Sequence, residues 1–212
     1  MFNELKRLGH WHLENPVYSV RQFSISQIEL IYLSDTQIMA LLEALKQSRN
    51  ADAYHVTMLA LATGARWSEA ECLRAEQLSV SPPMVTFTDT KSGRNRSIPL
   101  DDSFTIQLKT KETGRLFKGC YAAFRNAVDR AKIELPPGQL SHVLRHTFAS
   151  HFMINGGNIL VLQKILGHGS LNMTMRYSHL SPGHLQEAKA LNPVANQLTT
   201  KNAEDSDKAD RE

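Results

Sequence analysis

The sequence predicts a mainly α-helical fold with a small antiparallel β-hairpin or sheet, an α+β class. Three observations lead there. Apolar residues recur at helical spacing from Ile38 to Leu61 and again from Phe124 onward. Between those stretches, Met84 to Thr88 and Arg96 to Leu100 alternate as two strands about a Ser92-Gly93 turn. Gly64, Gly156-Gly157 and Gly167 stand where helices would stop.

Taken in order, Phe2, Leu5 and Leu8 have the spacing of one helical face, Gly9 could end that helix, and Asn15-Pro16 breaks the chain. Val17 to Leu33 reads as an extended linker. Ser34 with Gln37 fits a capping box ahead of the stripe Ile38, Leu41, Leu42 and Leu45. Asn50 and Asp52 introduce a second apolar helix through Leu61. Gly64 is placed to end it, and Trp67 or Ser68 to open the next. Arg66 therefore lies at a helix junction, where a side chain can project into a cleft. Lys91 falls at or near the tip of the predicted hairpin.

Asp101 to about Leu108 reads as a short helix with an acid at its N-terminus, and residues 114–117 as a brief extended segment. Residues 120–133 have helical spacing at Phe124, Val128 and Ala131, ended by Pro136-Pro137-Gly138. Ser141 is expected to cap a helix carrying His142, Arg145 and Phe148, with His142 and Arg145 on one face. Asn158 should cap the next helix, burying Ile159, Leu162 and Ile165. Gly167 then puts His168 at a helix end, and Tyr177 lies on a further short segment beyond Ser170. A last helix is expected from Pro182 to about Leu191, before a tail whose composition over 198–212 is that of disorder.

Composition excludes several classes. A hydrophobic content of 42% is ordinary for a globular protein, and no apolar run approaches the length of a membrane span. The first residues lack the apolar core of a secretion signal. Cys72 and Cys120 are far apart and read as free thiols of a reducing, cytoplasmic setting. The net charge is only +3. An acidic C-terminal dozen conceals a more basic body, in which Arg94, Arg96, Lys109, Lys111, Arg115 and Lys118 crowd the middle of the chain. Such charges suit DNA phosphates, and equally a solvated surface.

Chemistry concentrates between Leu140 and Leu180, where His142, Arg145, His168 and Tyr177 stand on successive short helices. Arginine grips non-bridging phosphate oxygens with a planar fork, histidine moves protons near neutrality, and tyrosine is a nucleophile once its proton is taken. His142, His146 and His151 could suggest a metal site. No Glu completes an H-E-x-x-H pattern and no cysteine or acidic third ligand is close in sequence, so no metal and no cofactor are expected. His146, Phe148 and His151 read as packing or polar-network residues.

The motifs T-G-A-R-W-S-E at 63–69, T-K-S-G-R-N-R-S-I-P-L at 90–100, H-V-L-R-H at 142–146, G-H at 167–168 and T-M-R-Y-S-H at 174–179 together resemble the catalytic domain of the tyrosine recombinase (phage integrase) family. Within it the chain is similar to integrases of P2-like and HP1-like temperate phages. The likeness implies the catalytic-domain fold of that family over 34–192, preceded at 1–33 by the end of a core-binding domain and its linker, and followed at 193–212 by a polar tail. It implies catalytic roles for Arg66, Lys91, His142, Arg145, His168 and Tyr177, with Tyr177 as nucleophile, Lys91 as acid to the leaving oxygen and His142 as base. Arg94 and Arg96 would meet DNA phosphates, and Glu69 would steady the arginine or its helix. Double-stranded DNA is the implied partner, engaged by a homodimer or homotetramer whose C-terminal segment could dock on a neighbour or on its own subunit. Two departures are visible. Gln77 stands where the family often has an acid, and Val143 where it often has a polar residue. A truncated DNA-binding module that does not cut, and a type IB topoisomerase-like relaxer, remain as alternative readings.

Overall fold

A computed structural model describes residues 2–18, 31–88, 95–140, 142–182 and 193. The chain divides into two units, residues 1–30 and 31–212. In the first, α1 (Phe2–Arg7) forms as its spacing predicts. Gly9 follows it in the left-handed region at φ +74°, which suits a residue without Cβ. Phe2 packs on Trp11 at 5.1 Å between ring centroids.

The second unit begins earlier than the linker expectation. Leu33 is a core residue, its N–H donating to Thr147 Oγ1 (2.9 Å). Its carbonyl lies 2.8 Å from His151 Nε2. Next comes α2 (Asp35–Lys46), opened by the expected capping box: Ser34 Oγ accepts from Gln37 N, and Gln37 Oε1 accepts from Ser34 N. Its stripe buries Leu41 and Leu45. Then α3 (Asp52–Thr63) runs to Gly64, which is left-handed at φ +65°. Gly64 is needed twice over. A Cβ there would also lie 2.5 Å from Phe148 Cδ1 and 2.8 Å from Leu166 Cδ2.

After the short α4 (Trp67–Glu71) the chain makes a three-stranded antiparallel sheet in the order β1 (Leu78–Val80), β2 (Pro83–Phe87), β3 (Arg96–Pro99). β2 and β3 are the predicted hairpin, with Val85 opposite Ile98 and Phe87 opposite Arg96. β1 is an addition, pairing Leu78 with Val85. Three residues are too few for alternation to announce a strand. α5 (Asp102–Leu108) has Asp101 as N-cap, its carboxylate accepting from Phe104 N. α6 (Tyr121–Arg130) turns Phe124, Ala127 and Val128 inward.

α7 (Val143–Ile154) is the helix around which the site is built, and α3 packs along it. It starts one residue later than predicted: His142 itself is the N-cap, while the expected cap, Ser141, lies outside the described residues. α8 (Ile159–Leu166) is capped by Asn158 Oδ1, which accepts from Leu160 N and Val161 N, and stops at left-handed Gly167. Its fully buried residues are Leu162 and Leu166, whereas Ile159 and Ile165 are only half-buried. α9 (Asn172–Met175) and a 3-10 turn at Ser178–Leu180 flank Tyr177. The helix expected after Pro182, and the tail, lie outside the described residues. Among those described, no helix is long and apolar enough to cross a membrane.

Candidate active site

Arg145 anchors the site. α7 carries it inward until it is only 5% exposed. Backbone carbonyls hold its guanidinium: Nη1 donates to the Gly64 carbonyl (2.8 Å) and Nη2 to the Leu166 carbonyl (2.6 Å). Both acceptors sit at helix C-termini, those of α3 and α8, where unsatisfied carbonyls carry partial negative charge. The two left-handed glycine stops therefore do more than end helices. They leave carbonyls free to hold a buried cation. Burial, then the nearby charges of Arg66 and Arg96, bring the Arg145 pKa down to about 10, which leaves it charged at neutral pH.

Arg66 is the N-cap residue of α4, with its side chain about one-fifth exposed. Glu69 holds it from both ends, accepting from the Arg66 backbone N–H and from Nη1, each at 2.9 Å. The same carboxylate accepts from Arg96 Nη2 (2.6 Å) and Nη1 (3.3 Å). Burial pushes the Glu69 pKa up, but those bonds and the Arg96 charge outweigh it and take it down to about 2. The expected steadying role of Glu69 thus has a geometry.

Arg96 was expected to meet DNA phosphate. In the DNA-free structure it is 7% exposed, paired with Glu69, and 4.6 Å above the ring of its cross-strand neighbour Phe87. It braces the hairpin against α4. Lys91 and Arg94 lie outside the described residues. Gln77, where an acid was noted as missing, joins Thr88 Oγ1 (2.9 Å) to Arg74 N (2.9 Å) and stays with the sheet. Val143 is buried in the core.

His168, just past the Gly167 stop, is 9% exposed, and its Nδ1 is 2.9 Å from Thr174 Oγ1. Burial first, then the charges of Arg145, Arg66, Arg176 and Arg96, lower its pKa to about 4. It is a neutral imidazole at pH 7.

Tyr177 is 2% exposed. Burial raises its pKa, against the opposing pull of Arg145 and Arg176. Its hydroxyl lies 2.7 Å from His146 Nδ1. Burial, followed by Arg176, His142, Arg145 and His168, takes the His146 pKa down to about 4. His142 is exposed at the head of α7, its ring 6.2 Å from that of His146. Of the predicted residues, the fold thus collects Arg66, Arg145, His142, His168 and Tyr177 in one electrostatic neighbourhood. It adds two that sequence reasoning left out, His146 and Arg176. A signal for His146 existed: it stands four residues after His142, on the same helical face.

The arrangement is a phenol buried among guanidinium and imidazole groups: Arg66 and Arg96 share the carboxylate of Glu69, Arg145 lies in its field, and Arg176 acts on Tyr177, His146 and His168. Such a site favours an anion, and places a phenol beside it. Residues 32–184 match the family model described as Phage integrase family. The chain is 50% identical over 201 residues to the Integrase of Escherichia phage 186, covering 95% of this chain and 59% of that protein. It is 53% identical over 196 residues to the Integrase of Haemophilus phage HP1, covering 92% and 57%. The solved catalytic domain of bacteriophage HP1 integrase superposes with a TM-score of 0.75 at 54% identity, over 79% of this chain and 98% of that one. The chain belongs to the phage integrase family, and its second unit has the fold of an integrase catalytic domain. It spans somewhat under three-fifths of the length of these two curated relatives.

Proposed function

We propose that this chain breaks and rejoins DNA strands at specific sites, as a tyrosine recombinase does, through a 3′-phosphotyrosine on Tyr177. The observation that carries the reading is the burial of the Tyr177 phenol in the field of Arg145 and Arg176, inside a cluster that also includes Arg66 and His168. A scissile phosphate entering this cluster supplies the missing negative charge. Arg66 and Arg145 then hold its non-bridging oxygens and stabilise the charge that builds on the pentacoordinate phosphorus. His168 adds a hydrogen bond to the same group, and His142 lines the approach. Lys91 protonates the leaving 5′-oxygen. The ester conserves the bond energy, so a 5′-hydroxyl from a second strand can reverse the chemistry without a nucleotide cofactor.

The partner is double-stranded DNA, and strand exchange between two duplexes calls for a homodimer or homotetramer on DNA. Residues 181–197 are the segment that docks either on a neighbouring subunit or back on its own.

The test is a DNA duplex nicked near the cleavage point, which traps the covalent intermediate. The chain should give a DNA-shifted band on a denaturing gel. Tyr177→Phe should abolish that band and leave DNA binding nearly intact. Equal loss of binding and cleavage would make Tyr177 a packing residue instead.

A further inference from the structure

His146 is the residue that the chemistry above leaves unused, yet its Nδ1 is 2.7 Å from the hydroxyl of Tyr177. Its backbone position on the first turn of α7, one residue past Arg145, fixes the ring between the arginine helix and the nucleophile. The two rings stand 6.1 Å apart at 44°, so the contact is made edge-on through a nitrogen and not by stacking. We propose that His146 is the base of the cleavage step, holding the Tyr177 phenol through Nδ1 and taking its proton as the phenol oxygen bonds to phosphorus. The assignment rests on the recombinase reading and replaces the role expected of His142.

The geometry requires one tautomer. Nδ1 must be the bare nitrogen and Nε2 must carry the ring proton, so that the phenol O–H donates to Nδ1. A neutral ring is what the surroundings enforce. The ring is half-buried and faces cationic or ionisable groups on several elements: Arg145 and His142 of the α7 region, His168 after α8, and Arg176 beside Tyr177. Those same groups disfavour an imidazolium at His146, and burial disfavours the phenolate that proton transfer would leave on Tyr177, so the transfer is unfavourable in the DNA-free chain. An arriving phosphate reverses that balance, since its charge offsets theirs. The phenol is therefore protonated and inert until a phosphate is in place.

The step balances as follows. The Tyr177 O–H bond breaks and a His146 Nδ1–H bond forms. The phenol oxygen bonds to phosphorus while the bond from phosphorus to the 5′-oxygen breaks, and that oxygen takes its proton from a separate acid. On rejoining, the incoming 5′-hydroxyl gives its proton to that acid, and His146 returns its own to Tyr177.

The experiment uses the full chain and the nicked duplex in single-turnover conditions. His146→Asn keeps an acceptor near the Nδ1 position but cannot take a proton, and His146→Ala removes the group. Both should bind DNA as before and form the Tyr177 adduct more slowly by about 10²–10⁴-fold. Added imidazole should restore part of the His146→Ala rate. A substrate with sulfur in place of the leaving 5′-oxygen, which needs no acid, should not restore it. Adduct formation at the unaltered rate in both variants overturns the proposal, and rescue by the sulfur substrate overturns it by making His146 an acid. Failure of the unsubstituted chain to form any adduct overturns the recombinase reading and this one together. A measurement on the unsubstituted protein guards against misfolded variants. Nitrogen-15 chemical shifts should show His146 protonated at Nε2 and bare at Nδ1; the opposite tautomer overturns the proposal.

Discussion

A single carboxylate decides how two arginines are presented. Glu69 binds Arg66 at its backbone and side chain and Arg96 at both terminal nitrogens. Glu69→Gln would leave Arg96 buried without a compensating charge. Removing one partner of a buried pair costs about 3–5 kcal/mol, and thermal unfolding should show a loss on that order. Arg66 should lose its fixed position as well, so adduct formation should fall further than stability alone explains. The burial of Arg96 was legible in hindsight. In β3, Arg96 and Ile98 are buried while Ser97 and Pro99 are exposed, so the strand's alternation aims Arg96 inward. Charge composition had suggested the opposite, because lysine and arginine are almost never fully buried unless paired, and the partner sits 27 residues away. His146 escaped for a related reason. Its partner, Tyr177, is 31 positions on, and no local pattern reports such a contact.

Helix stops form the next scale. Gly64 and Gly167 end α3 and α8 in left-handed conformations, and the Gly64 and Leu166 carbonyls so exposed grip Arg145. Gly64→Ala must strain the backbone and drive a methyl group into Phe148 and Leu166. Left-handed strain costs a non-glycine residue roughly 1–2 kcal/mol, and the clash adds to it. A melting temperature lowered by several degrees is expected, together with weaker adduct formation as the carbonyl moves off Arg145. Unchanged stability and activity would mean the carbonyl contact is incidental. Most of these elements were readable beforehand. The capping box at Ser34, the stops at Gly64 and Gly167, the short helix with an acid at its start near Asp101, the cap at Asn158 and the hairpin all follow from local chemistry. What was unreadable is tertiary: the short β1, the late start of α7 at Val143, and Leu33, whose burial depends on Thr147 and His151 more than a hundred residues away.

At the scale of the whole domain, the site is a charge imbalance held in place by the rest of the fold. Two imidazoles within it, His146 and His168, have pKa values lowered from 6.5 to about 4. The unfolded chain takes up those protons near pH 6.5 and the folded one only near pH 4. Stability is therefore fully present above pH 6.5 and is lost as pH falls through that window. Glu69, lowered from 4.5 to about 2, extends the loss into stronger acid. Melting temperatures measured from pH 8 to pH 4 should be level at first and then decline, and a flat profile would contradict the burial of these groups. Anions should act the other way, since a ligand that binds only the folded state stabilises it by about 2.7 kcal/mol at 100 times its Kd. A short duplex should raise the melting temperature, and Arg145→Ala should remove much of that gain.

Mass spectrometry of proteolytic fragments, taken after the chain has reacted with nicked duplex, tests the central claim most directly. The account predicts a nucleotide remnant joined to the peptide that contains Tyr177, on the phenol oxygen, with the 3′-phosphate between them. A covalent remnant on any other residue, or DNA cut with no protein attached to it, would contradict the account.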